Sequence, residues 1–350
     1  MASSYQPGAA SNRVRIVVAT SVMLTFISYW RAAAIVLNDL GSSAFYAAGI
    51  AEQAIGKSAP WFIVAVMLFS FTVRAVYVES CSMFVRGGVY RVVKEALGGT
   101  LAKMSVSALM FDYILTGPIS GVSAGQYIAG LINDVFVTLD THGWVPRAVH
   151  AMFHGTPHVN VNWTSVVFAG AVTIYFWWQN TKGIQESSEK ALRVMQITTV
   201  MVVLLLGWSA ITLLKQGYQP VPLPTGHNLQ FGHEALGFLN HTELAHDLAR
   251  KFGLLGILIA FGHSVLAMSG EESLAQVNRE LAHPKLKNLK RAAVIIAIYS
   301  FVFTGLTALL FVMIIPDSVR VPVYKDNLIA AWQCTYGARN SCGSRFARSW

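Results

Sequence analysis

The sequence predicts an all-α integral membrane protein, a bundle of about seven spans whose first and sixth helices are broken within the membrane. Three observations predict it. Hydrophobic residues make up 54% of the 350 and charged residues only 12%. A soluble domain carries about a quarter charged residues, so this chain cannot cover a water-facing surface of its size. The apolar residues arrive in runs of membrane length, about 20 residues each. The two longest runs each hold a polar, glycine-bearing interruption, placed at the offset expected of an inverted five-plus-five repeat.

In chain order, residues 1–24 read as an N-terminal cytoplasmic or interfacial segment. Met1 to Asn12 is short and polar, and Arg13 and Arg15 flank the start of an apolar lead-in at Val14. A secretory signal would have to be cleaved in or near Ile27–Ala34, inside the first membrane element, so the start is read as uncleaved. Residues 25–316 form the transmembrane domain. Its spans are placed at Thr25–Ile55, Trp61–Glu79, Met104–Ile132, Val166–Asn180, Arg193–Leu214, Phe252–Glu280 and Ala292–Ile315. Residues 317–350 read as a non-membrane tail, since hydrophobicity of span length does not return after Pro316. From about Cys334 the tail becomes a Cys/Ser/Gly/Arg mixture, a composition that favours truncation by a broken reading frame over a genuine soluble extension.

The net charge of +9 does not point to nucleic acid, because Lys and Arg gather in short segments between apolar runs. Arg86, Arg91, Lys94 and Lys103, then Lys182 and Lys190, then Arg279, Lys285, Lys287, Lys290 and Arg291 follow the even spans. With Arg13 and Arg15 they outnumber the opposite loops by about thirteen to five, which puts the N-terminus in the cytoplasm of a multi-pass protein of the cell membrane. His142, His150, His154 and His158 share one outer loop without a repeating ligand spacing. Ala235 to Leu248 reads as an amphipathic stretch lying on the outer surface. Cys81, Cys334 and Cys342 lack metal spacing. A phosphate-binding glycine loop and a nucleophile elbow are both missing, so neither ATP-driven transport nor catalysis is expected, and no cofactor.

The first interruption is Asn38-Asp39-Leu40-Gly41-Ser42-Ser43 and the second Met268-Ser269-Gly270-Glu271-Glu272. Unwinding inside a bilayer frees backbone polar groups, tolerated only where protein or a solute satisfies them. Gly41, Ser42, Ser43 and Gly270 are the break residues; close helix packing is the alternative use of such small residues. Acids stand beside both breaks: Asp39 in the first, Glu271 and Glu272 in the second, with Asp112 in the third span. Each costs on the order of 3 kcal/mol at mid-bilayer on insertion scales. Arg74 is the one basic residue expected at comparable depth. It either snorkels toward the cytoplasmic surface or pairs with Asp112 or Glu79, and cannot neutralise all four acids. Asp112, Thr116 and Ser120 recur at helical spacing and form a stripe of oxygens beside Tyr113, suited to a hard cation, although Ser and Thr also bond carbonyls one turn back. Gly117-Pro118 is expected to kink this span.

These features together resemble the amino acid–polyamine–organocation (APC) superfamily. They are the broken first span, Gly87-Gly88-Val89-Tyr90, Asp112-Tyr113-Ile114-Leu115-Thr116, and Ser269-Gly270-Glu271-Glu272 followed by Asn278-Arg279-Glu280 and Pro284. The resemblance covers Ala33 to Ile315, the first seven of an expected twelve spans. It implies an APC/LeuT-type inverted-repeat bundle and a secondary permease. Within the superfamily the acids are similar to those of KimA-type potassium–proton symporters. The similarity implies cation ligands at Asp39 and Tyr46, at Asp112, Tyr113, Thr116 and Ser120, and at Ser269 and Glu272, one carboxylate serving the proton. The expected function is thus proton-coupled uptake of a small cation such as K⁺, with K⁺ and H⁺ as transported or coupling ions. An amino-acid or amine permease is the first alternative, and a non-transporting membrane module or inactive fragment the second. The expected partners are the lipid bilayer, the solute and a second copy in a homodimer.

Overall fold

The computed structural model describes residues 26–84, 89–144, 157–181, 184–225, 228–232, 235, 253–324 and 327–331. Within them the chain is helical, and the one pairing of extended backbone is an isolated bridge between Ile27 and Leu281. The helices are α1 (Tyr29–Leu40), α2 (Ala47–Ile55), α3 (Ala59–Met83), α4 (Val89–Leu97), α5 (Gly99–Thr141) and α6 (Val161–Asn180). They continue as α7 (Ile184–Gln216), α8 (Gly253–Ser264), α9 (Ser273–Val277), α10 (Lys285–Ser300), α11 (Thr307–Ile314) and α12 (Asp317–Tyr324).

Four stretches are long and apolar enough to cross a membrane: Ala59–Met83, Ser187–Gln216, Gly253–Glu280 and Lys285–Ile314. The bent pair Tyr29–Phe45 and Ala47–Ile55, turned by 41°, makes a fifth. The third and fourth expected spans correspond to α5 and α6, which are not in that set. Asp112, Tyr113, Gly117, Pro118 and several Ser residues dilute the apolar character of α5. Pro118 sits inside a helix that runs unbroken from Gly99 to Thr141, so the expected kink does not end the helix there. Phe111, Trp163, Ile197 and Leu204 are each more than 60% exposed. On a soluble protein such a surface would be an aggregation hazard; around a membrane bundle it is the lipid-facing coat. The chain is an all-α, multi-pass membrane protein.

Span 1 sits at the centre. The small residues Ala32, Ala33 and Ala34 of α1 are fully buried and pack with Val36, Leu37 and Leu40 against Leu274, Val277, Leu289, Ala292 and Ile296. Without a hydrophobic drive between helices in lipid, close approach through such small side chains provides the packing energy. The two broken spans are also joined at their ends: Ile27 N–H donates to Glu280 O at 2.9 Å, and Ala282 N–H to Ile27 O at 3.0 Å. A second core gathers Tyr46, Ala47, Ala51 and Ile55 with Phe62, Ile63, Val66 and Met67 of α3 and with Ala260 and Ala267. Outside these cores α5 pairs with α6, where a Cβ on Gly125 would lie 2.5 Å from Ser165 Cα.

Past Pro316 the chain turns back onto the bundle as the short helix α12. Buried Arg320 binds Glu52 of α2 at 2.6 Å and Asp317 at 2.8 Å, and Lys57 reaches Asp317 at 2.9 Å. Burial, the largest influence, pushes the Asp317 carboxyl up, but hydrogen bonds and charge from Lys57 and Arg320 outweigh it and hold it below the ordinary value. Residues beyond 331, with Cys334 and Cys342, lie outside the described residues. So do Gly87 and Gly88, His150 and His154, most of the amphipathic stretch after Ala235, and the segment 1–25. Val89 opens the amphipathic helix α4, which spacing alone did not predict.

Candidate functional site

The break in span 1 has a local cause. After α1 ends at Leu40, the residues Gly41–Phe45 tighten into a 3₁₀ turn before α2 begins. Ser42 Oγ donates to Asp39 O at 2.7 Å, and Ser43 Oγ lies 2.7 Å from Leu40 O and 2.8 Å from Ala267 O. Serine hydroxyls that bond carbonyls three residues back compete with the helical ladder and unwind it. The Ala267 contact ties this turn to the break in span 6. There α8 passes into a 3₁₀ turn at Val265–Met268, and four residues of turn precede α9. Gly270 carries φ +98°, a region in which other residues are strained. Its approach to span 1 is equally demanding, because a Cβ there would stand 2.8 Å from Leu40 N and 2.9 Å from Asp39 Cγ.

Three carboxylates meet around these breaks. Ser273 Oγ donates to Asp39 Oδ2 at 2.5 Å. Asp112 Oδ1 accepts from Thr116 Oγ1 and from Ser269 Oγ, both at 3.3 Å, and those two hydroxyls are themselves 3.3 Å apart. Glu272 is buried and its Oε1 has no hydrogen-bond partner among the described residues. Asp39 and Asp112 are close enough to act on Glu272 through their charge. Among the described residues no basic side chain pairs with any of the three. Nor do three His, Cys, Asp or Glu side chains there converge as a metal ligand set. Hydroxyls from Thr116, Ser269 and Ser273 are interleaved with the acids.

The fourth acid has a different assignment. Arg74 neither snorkels nor pairs with Asp112 or Glu79. It is buried and grips Glu271 through two nitrogens, Nε to Oε2 at 2.7 Å and Nη2 to Oε1. Nη2 also lies 2.9 Å from Ser70 Oγ and 2.8 Å from Ser300 Oγ. One guanidinium thereby holds together span 2, the break of span 6 and the start of a π-helical turn, Phe301–Leu306, in span 7. The expectation failed because spacing within one helix cannot say which distant helix faces it.

On the other side of the Gly41–Ser43 turn lies a cavity of about 510 Å³, lined by Asn38, Ser42, Tyr46, Ser120, Tyr127, Thr198, Tyr299 and apolar neighbours. Among the described residues no charged side chain lines it. Ser120 Oγ donates to Ser42 Oγ at 3.0 Å, and the Tyr46 hydroxyl sits beside both. Tyr127 closes the far end, donating to Phe45 O at 2.9 Å and accepting from Ile329 N–H at 3.1 Å.

The expected residues therefore fall into two neighbouring groups. Asp39, Asp112, Thr116, Ser269 and Glu272 form the acidic cluster. Tyr46 and Ser120 belong to the neutral cavity. Tyr113 borders the acidic cluster, within reach of the charges of Glu272, Asp39 and Asp112, and its partly exposed hydroxyl is bonded by Gln276 Nε2. The stripe in α5 is real: Asp112, Thr116 and Ser120 are half-buried while residues 113–115 and 117–119 are exposed. Ser273, Tyr127, Thr198 and Tyr299 were not anticipated. Ser273 could have been, since it stands four residues after Ser269 on the same break.

One comparison bears on this arrangement: the family model described as amino acid permease matches residues 27–339. Neither a curated protein nor a solved structure matches the chain.

Proposed function

Because the chain belongs to the amino acid permease family, we propose that it is a secondary active transporter taking up a small cation such as K⁺ with proton coupling. One observation carries this reading: Asp39, Asp112 and Glu272 gather at the two helix breaks with hydroxyls around them and, among the described residues, no basic partner. Acids in a membrane persist when they pair, take a proton or bind a cation. Asp39, Asp112, Thr116 and Ser269 offer the oxygen ligands that a hard cation prefers. Glu272, with an orphaned oxygen, holds the proton. Like charges so close repel until both positive charges arrive, which makes occupancy by one ion depend on the other. Arg74 keeps Glu271 out of this exchange.

In the orientation that the basic loops favour, α10 enters from the cytoplasmic face of the cell membrane and Tyr127 and Ile329 lie toward the outside. A second reading, an amino-acid or amine permease, is favoured by the neutral cavity. Its volume of about 510 Å³ falls in the range of organic-ligand sites. There a solute would meet the hydroxyls of Ser42, Tyr46, Ser120 and Tyr299 and apolar walls, with Asp39 on the other face of the turn.

Uptake of radiolabelled Rb⁺ into proteoliposomes carrying this chain, with an inward proton gradient, separates the readings. The expected result is Rb⁺ accumulation that K⁺ suppresses and amino acids do not. Inert Rb⁺ with amino acids taken up would replace the cation reading by the second. No uptake of either would leave a non-transporting membrane module.

A further inference from the structure

A second concavity, of about 570 Å³, runs along the outside of the bundle between α3 and α10. Val78, Ala293 and Ala297 give it apolar walls, and Glu79 and Lys290 both line it. Both charged side chains are exposed, and neither forms a hydrogen bond or ion pair with a described residue. Each lies more than one turn inside its helix, Lys290 five residues after the start of α10 and Glu79 four before the end of α3. By the spans read from the sequence, Glu79 closes the second and Lys290 stands just before the seventh, which puts both charges at the level of lipid headgroups. Arg74 also lines the groove, deeper in. Its Nε and Nη2 are committed to Glu271, Ser70 and Ser300, but its Nη1 is buried with no hydrogen-bond partner among the described residues. A buried, unpaired guanidinium N–H is an expensive vacancy in hydrogen bonding.

We propose that this groove is a binding site for one phospholipid with a primary-amine headgroup, of the phosphatidylethanolamine type. Lys290 takes the phosphate, Glu79 takes the ammonium, and Arg74 Nη1 donates to an ester carbonyl. The acyl chain lies along Val78, Ala293 and Ala297. Two charges of opposite sign at the mouth favour a zwitterionic headgroup over an anionic one, whose phosphate Glu79 would repel. A quaternary headgroup has no N–H to donate to Glu79. The order of the polar groups along the groove, charged mouth first and Arg74 deeper, follows the order of headgroup and ester in such a lipid. Because Arg74 also holds Glu271, the lipid touches the break in span 6 through a single side chain. This inference stands apart from the cation reading and does not need it.

The test is native mass spectrometry of the delipidated full chain, titrated with phosphatidylethanolamine, phosphatidylcholine and phosphatidylglycerol of identical acyl chains. The expected result is one retained lipid, with phosphatidylethanolamine preferred about tenfold over the other two, the scale of one charge-assisted hydrogen bond. Glu79→Gln is expected to abolish that preference, and Lys290→Gln to weaken phosphatidylethanolamine about tenfold. Lys287→Gln, on the same basic segment but not lining the groove, is expected to change nothing. Equal retention of all three lipids, a lead for phosphatidylglycerol, or an unaltered preference in Glu79→Gln would overturn the proposal. A loss in Lys287→Gln matching that in Lys290→Gln would also overturn it, by showing diffuse basic attraction.

Discussion

Replacing Arg74 by Met tests whether the break in span 6 is held from span 2. The side chains of Arg74 and Glu271 are each 3% exposed, and the contact uses both carboxylate oxygens. Removing the cation strands a carboxylate in the bundle and costs about 3–5 kcal/mol, as for other broken buried pairs. It also leaves Ser70 and Ser300 without their shared donor. The companion variant Glu271→Gln costs less, because an amide oxygen still accepts from Nε. In the double variant Arg74→Met/Glu271→Met no charge remains to be stranded, and apolar replacement of a buried pair is often neutral. Thermal unfolding of the purified protein in one detergent is the assay. Arg74→Met is expected to lower Tm on the order of 5–10 °C, and the double variant to recover most of that loss. A single variant within about 2 °C of the parent, or a double variant no better than the single, would refute the reasoning.

Three further outcomes follow from the same geometry. Gly270→Ala is expected to lose several kcal/mol and all transport, through strain at φ +98° and a clash with Leu40 and Asp39; melting and uptake assays check it, and near-parental behaviour contradicts the close approach. Gly125→Ala is expected to cost about 1–3 kcal/mol by pushing α5 from α6, since its Cβ would meet Ser165 Cα at 2.5 Å; the check is the melting temperature against Gly117→Ala, where a Cβ would meet nothing within 4 Å. Asp317→Asn is expected to cost under about 1 kcal/mol at neutral pH, because its side chain is 58% exposed and solvent screens the bridges. A carboxyl held low in the folded state stabilises above its unfolded pKa, so that cost should fade as pH falls below the ordinary Asp value of 3.8. A cost that persists there contradicts the ion-pair assignment.

Much of the fold was legible because bilayer physics writes it into composition. Runs of apolar residues mark spans, and Gly41-Ser42-Ser43 and Gly270 mark the breaks, since backbone unwinding needs small residues and local hydroxyls. The stripe Asp112–Thr116–Ser120 was legible from helical spacing, and its burial confirms which face meets the bundle. Partners across helices were not. Nothing in the neighbourhood of Arg74 in sequence points to Glu271, 197 residues away. The separation of Tyr46 and Ser120 from the acids depends on which side of the Gly41 turn each side chain leaves. Arg320, in the segment read as a non-membrane tail, is buried against Glu52, a partner 268 residues away to which nothing near it in sequence points.

The central claim is that the carboxylates at the two breaks hold a positive ion. An anomalous-scattering map from crystals of the protein grown with Rb⁺ tests it most directly. The account expects one peak among Asp39, Asp112, Thr116 and Ser269, absent in Asp39→Asn and in Asp112→Asn crystals of the same form. Crystals in which that region stays empty at saturating Rb⁺, or a peak that persists in both variants, would contradict it.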